Sequence, residues 1–216
     1  SAVYSNPPLY PQETMHNVEW RDENAYEFLE NVWNQDRPEK LLGFKMPLFS
    51  HNNVLNLLVQ DESVAKIVLQ RKNVLRLYIS QQIALQTRQW YLPTEVQRNK
   101  TKLRLNVKDA VQFIQKYNRV YTDLLSQLDQ SNQSYLHIIF EEMFSSAQDD
   151  YLENVFTFLG VEPQQNITSK LIKQNPESVR DLVENSDELE NALKNTEMEW
   201  MLHGDEYKFN QAGVAA

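Results

Sequence analysis

The fold turns on one stretch: Lys66-Ile67-Val68-Leu69-Gln70-Arg71-Lys72-Asn73-Val74-Leu75-Arg76-Leu77-Tyr78-Ile79-Ser80. It opens inside a short β-branched run, residues 65–69, which reads as a buried strand. Polar residues 70–73 interrupt it. Apolar positions then recur at helical spacing, with Val74, Leu77, Tyr78, Ile83, Ala84 and Leu85 among them, and predict a helix over about 73–90. A strand that passes directly into a helix is half of a strand–helix–strand unit.

Working outward, the same alternation continues. Upstream, residues 1–22 are irregular, with Pro7, Pro8 and Pro11 blocking regular structure. Ala25, Phe28, Leu29, Val32 and Trp33 share one helical face, residues 41–46 read as a short buried strand stopped by Pro47, and residues 53–60 read as a short helix. Downstream, the charged stretch 91–105 reads as a mobile surface loop. Residues 106–128 carry Val107, Val111, Ile114, Tyr117, Tyr121, Leu124, Leu125 and Leu128 at spacings of three and four, the clearest helix in the chain. Residues 135–140 are a third strand candidate. Residues 149–159 form an amphipathic helix with Gly160 just past its end. Short helices are expected at 176–184 and 187–194, then a tail over 204–216. Strands separated by helices imply an α/β fold with a parallel sheet in a single domain over 1–216.

Composition narrows the chemistry. In 216 residues there is no cysteine, and Lys+Arg 21 against Asp+Glu 30 gives a net charge of −9. Thiolate nucleophiles, disulfide scaffolds and cysteine-based metal centres are excluded, and no metal is expected. The acidic balance argues against a nucleic-acid partner. The four glycines, Gly43, Gly160, Gly204 and Gly213, are too scattered to build a Walker loop or a dinucleotide fingerprint. No apolar run is long enough for a membrane span, and residues 1–11 do not read as a signal peptide. A cytoplasmic protein is the expectation, with a homo-oligomer left open.

In a parallel α/β sheet, ligands bind beyond the carboxyl ends of the strands. Arg71 and Lys72 fall there, at a helix N-terminus whose N–H groups and dipole favour an anion. Ser80 lies two turns further on. The alternative is a pair of solvated surface charges. Glu141 and Glu142 end the later strand; they suit acid/base work, or simply face solvent or pair with basic side chains. Lys170, Lys173 and Gln174 occupy a polar loop before Pro176.

Together these pieces resemble the sulfotransferases that use 3′-phosphoadenosine 5′-phosphosulfate (PAPS), in particular the bacterial carbohydrate and nodulation-type branch. The run from Lys66 to Ser80 resembles that family's 3′-phosphate motif, in which a strand delivers an arginine and a serine on the next helix completes the site. The Gly43-Phe44-Lys45 stretch fits the same branch. Tyr135-Leu136-His137-Ile138-Ile139-Phe140-Glu141-Glu142-Met143 and Val155-Phe156-Thr157-Phe158-Leu159-Gly160-Val161 resemble its late strand and helix end. Lys173-Gln174-Asn175-Pro176, Leu182-Val183-Glu184-Asn185 and Thr196-Glu197-Met198-Glu199-Trp200 resemble its C-terminal signature. The similarity covers roughly residues 40–202.

The resemblance implies a P-loop-like parallel sheet flanked by helices and transfer of a sulfuryl group from PAPS to a hydroxyl of a carbohydrate or similar small-molecule acceptor. It implies nucleotide contacts at Arg71 or Lys72, Ser80, Lys173 and Gln174. His51 is the best candidate base, against a role as a cap or core hydrogen-bonder, and Glu13, His16 and Glu19 are weaker. Lys45 is a candidate for the sulfate or acceptor, and Trp90 and Tyr91 for stacking on the nucleotide or sugar, against core packing at a helix end. The first strand and Gly/Ser-rich loop that grip the 5′-phosphosulfate in the family have no counterpart in this sequence. A fragment, a strand supplied by another chain and a loss of that strand are the three explanations, of which the first is expected. The rival function is a non-catalytic nucleotide-binding or interaction module on a degenerate version of the same fold.

Overall fold

A computed structural model of the chain describes residues 20, 23–34, 41–49, 52–90, 101–144, 148–164, 167, 175 and 177–204. It divides into two compact units, Ser1–Val64 and Ala65–Ala216.

In the first unit, α1 (Ala25–Trp33) and α2 (Asn52–Gln60) form where the apolar spacing places them. Leu29 of α1 meets Val54 and Leu58, one turn apart on α2, and Ala25, Met46 and Val64 pack on this small core. Residues 41–47 are not the expected strand: they form no regular element, and Leu41 and Phe44 are 51% and 45% exposed. Apolar character alone does not make a strand; a hydrogen-bonded ladder does. The Phe44 ring instead sits edge-on to Trp33, with centroids 6.1 Å apart.

The second unit contains that ladder. Strand β1 (Lys66–Gln70) pairs in parallel with β2 (Tyr135–Ile139), in register from Lys66↔Tyr135 to Gln70↔Ile139. Between them run α3 (Val74–Thr87) and the long α4 (Val107–Gln130). After β2 come a 3₁₀ turn (Glu142–Phe144), α5 (Gln148–Leu159), α6 (Val179–Leu182), α7 (Ser186–Leu193) and a closing 3₁₀ turn (Glu199–Leu202). The described residues thus form a mixed α/β structure with a small two-stranded parallel sheet flanked by helices.

Local chemistry sets the element ends. Asn73 caps α3, its side-chain oxygen accepting from Arg76 N at 3.1 Å, and Asn106 caps α4 the same way through Asp109 N. Helix α3 stops three residues short of the expected end because Arg88 turns to φ 58°. Gly160 takes φ 64°, and the bonds Gly160 N to Thr157 O and Val161 N to Phe156 O complete a Schellman motif at the end of α5.

The buried stripe of α4, Ala110, Ile114, Tyr117, Tyr121, Leu124 and Leu128, alternates spacings of four and three along one face. That helix packs against α3 and α7, and α3 and α7 both meet the closing 3₁₀ turn. Val74, Leu75, Ile114, Leu189 and Leu193 are wholly buried in this core, each stabilising the fold by roughly 1.5–3 kcal/mol. The end of the expected surface loop belongs to the core as well. Leu103 and Leu105 are buried, Leu103 bridges Val183 in parallel, and the Asn185 side chain bonds both the N–H and the carbonyl of Leu105. Two leucines in a charged stretch were the signal that this part is not a free loop.

Candidate functional site

Parallel pairing brings the carboxyl ends of β1 and β2 together, and Phe140 N extends the ladder by donating to Gln70 O at 2.8 Å. The next residues on each strand therefore face one another: Arg71, Lys72 and Asn73 on one side, Glu141 and Glu142 on the other.

Glu141 decides the character of this end. Its side chain is 3% exposed. One carboxylate oxygen accepts from Lys72 N at 3.0 Å and the other from Asn73 N at 2.8 Å. The Lys72 and Asn73 N–H groups that lead into the helix thus serve an internal carboxylate, which meets part of the electrostatic demand expected to draw an external anion. Glu141 is a structural cap, and Glu142 bonds the Tyr151 hydroxyl, so the two carboxylates form no exposed acid/base pair. Partial burial, then the hydrogen bond to Glu142, push the Tyr151 phenol up to about 12.

Arg71 lies with its guanidinium carbon 4.8 Å from the centre of the Phe140 ring and its Nε 3.9 Å from Glu141. Lys72 is half-buried; burial lowers its pKa, while Glu141 and Glu142 act to raise it. Two tyrosines one turn apart on α4 hold the backbone here. Tyr121 donates to Leu69 O at 2.7 Å, and Tyr117 accepts from Arg71 N at 3.2 Å. Burial, then the neighbouring Tyr117 hydroxyl, raise the Tyr121 pKa. Behind them His137 Nε2 lies 3.0 Å from Gln70 Oε1, and burial followed by the Lys72 charge lowers the His137 pKa against the opposing pull of Glu142.

A second cluster lies along α3. Asn73, wholly buried, donates to Met201 O and Gly204 O. Arg76 donates through one Nη to the carbonyls of Asn175 and Glu177, each at 2.9 Å. Ser80 Oγ accepts from Asn175 Nδ2 at 3.2 Å. Residues 73, 76 and 80 follow one helical face, and each holds a segment from the end of the chain.

The structure thus brings Arg71 and Lys72 to Glu141, and Ser80 to Asn175. Along the helix axis Ser80 is about 10 Å from the Asn73 cap. His51, Lys173, Gln174, Lys170, Tyr91, Glu13, His16 and Glu19 lie outside the described residues, as do residues 1–19, 21–22 and the tail from 205. Lys45 is exposed on the irregular stretch 41–47. Trp90 is 60% exposed, so it is not packed in a core at the helix end. Sequence reasoning missed Asn73, Arg76, Asn175, Tyr117 and Tyr121 as builders of this region. For Asn73 a cap residue directly before an apolar helix was a readable signal, and for the tyrosines their spacing of four was.

Among the described residues no group of three His, Asp or Glu side chains is placed to hold a metal ion, and no helix is long and apolar enough to cross a membrane. No protein-family model, curated protein or solved structure matches the chain.

Proposed function

We propose that the chain carries the 3′-phosphate-binding part of a PAPS-dependent sulfotransferase with a P-loop-like fold, acting on a hydroxyl of a carbohydrate or similar acceptor. One observation supports this reading above the others. Asn175, in the late Lys-Gln-Asn-Pro stretch, is hydrogen-bonded to Ser80 and Arg76 of the Arg/Ser stretch, 95 and 99 residues away. The resemblance draws its nucleotide contacts from these same two stretches.

The residues present suit a phosphate through side-chain donors. The N–H groups of Lys72 and Asn73 serve Glu141, so the ligating groups in this reading are side chains: the Arg71 fork, the Lys72 ammonium and the Ser80 hydroxyl. Bound PAPS supplies an activated sulfuryl group. The chain's part is to hold the 3′-phosphate and fix the nucleotide's direction, because transfer of this kind depends on positioning and charge stabilisation. Lys173 and Gln174 add nucleotide contacts in this reading, and His51 is its candidate base.

The internal Glu141 cap favours a second reading. A phosphate site whose helix start already carries a carboxylate also suits a module that binds a nucleotide, or a partner, without turnover.

Thermal unfolding with adenosine 3′,5′-bisphosphate tests the site. A ligand that binds only the folded chain, at a hundredfold excess over Kd, adds about 2.7 kcal/mol, or roughly 5–10 °C in Tm for a chain of this size. Arg71→Ala should remove most of that shift. The absence of a shift in the unsubstituted protein refutes the nucleotide reading, and a shift without sulfuryl transfer to any hydroxyl acceptor selects the non-catalytic module.

A further inference from the structure

A serine in the middle of a helix ordinarily turns its hydroxyl proton back to the carbonyl four residues earlier or out to water. Ser80 is placed differently. Arg76, one turn before it and on the same face, donates to the carbonyls of Asn175 and Glu177 and so fixes the Asn175 backbone against α3. From there Asn175 Nδ2 donates to Ser80 Oγ at 3.2 Å. A hydroxyl has one proton and two lone pairs. With the amide directed at a lone pair, the hydroxyl proton points away from Asn175 and stays available to an acceptor.

We infer that Asn175 is a specificity-determining positioning residue: it sets the direction of the Ser80 hydroxyl so that this hydroxyl donates to a ligand's 3′-phosphate. The inference rests on the proposed function for the identity of the ligand, and on the Arg76–Asn175–Ser80 geometry for the role. A carboxylate at position 175 reverses the arrangement. It can only accept, so it draws the Ser80 proton to itself and leaves a lone pair, with a negative charge beside it, where the phosphate needs a donor.

The test measures the affinity of the full chain for two probes by titration calorimetry, adenosine 3′,5′-bisphosphate and adenosine 5′-monophosphate. Their ratio isolates the 3′-phosphate. The unsubstituted protein should prefer the bisphosphate, Ser80→Ala should cut that preference about tenfold, and Asn175→Asp should cut it at least as far. Affinity for the monophosphate should stay within twofold throughout, which a general loosening of the fold would not allow. Asn175→Ala, which removes the amide without adding charge, should cut the preference a few-fold and add nothing further in the Ser80→Ala background, because coupled residues are not additive. It also carries the measurement if Asn175→Asp does not fold.

Full preference retained in the Asn175 variants overturns the positioning role and leaves the proposed function standing. Additive losses in the double variant also overturn it, since Asn175 would then act independently of Ser80. A protein that does not distinguish the two probes before any substitution overturns both, and is recognised by that alone.

Discussion

Asn73 joins three parts of the second unit. Its oxygen caps α3, its amide nitrogen serves two carbonyls near the chain's end, and its backbone N–H serves Glu141. Losing the cap costs about 1 kcal/mol, and leaving a buried and a half-buried carbonyl short of a donor costs roughly 1–3 kcal/mol more. Asn73→Ala should therefore lower the unfolding free energy by about 2–4 kcal/mol in urea titrations. A loss under 1 kcal/mol would show that water replaces those bonds. Half of this role was legible. An asparagine directly before an apolar helical run announces a cap, because capping is local. Its reach to Met201 and Gly204 was not legible, because contacts across some 130 residues leave no periodic trace.

At the scale of elements, the spans expected from periodicity and those observed agree within a few residues for α1, α2, β1, α3, α4, β2 and α5, because 3.6-residue spacing and β-branched runs are local properties. The expectation failed where a partner decides the outcome. Residues 41–46 have a strand's composition and form no strand, while Leu103, in a stretch read as loop, bridges Val183. The candidate site shows the same division. Arg71 and Lys72 are at the strand end where they were expected, but nothing local to Glu141 told that it would fold back onto the N-terminus of α3.

The β1–β2 pair also carries a pH dependence. His137 has a folded pKa below its ordinary value of 6.5, chiefly through burial. A protonated imidazole is then better tolerated in the unfolded chain, so the stability this group confers is present above pH 6.5 and is lost as pH falls from there through the folded value. His137→Gln, which retains an amide for Gln70, should flatten the stability profile in that window and change little at pH 8. An unchanged slope between pH 6.5 and 5 would assign the acid sensitivity to other groups.

For the whole molecule, the net charge of −9 makes the candidate site a local departure from the chain's overall sign. Arg71 and Lys72 have Glu141 and Glu142 beside them, so under the proposed function no broad positive field draws in the nucleotide, and its recognition falls to short-range side-chain donors. The register of the sheet sets one more property, the time course of folding. Pairing Lys66 with Tyr135 closes a loop of about 70 residues, an entropic demand of roughly 4 kcal/mol before any ladder bond forms. The packing of α4 on α3, by contrast, joins elements that follow one another along the chain. Ile114→Val and Ile138→Val remove comparable methylene groups, at about 1 kcal/mol each. In stopped-flow chevrons the first should slow folding, and the second should mainly speed unfolding. An equal slowing of folding by both would mean that the strands meet before the rate-limiting step. If they meet after it, the strand ends that hold Arg71, Lys72 and Glu141 are the last part of the second unit to form.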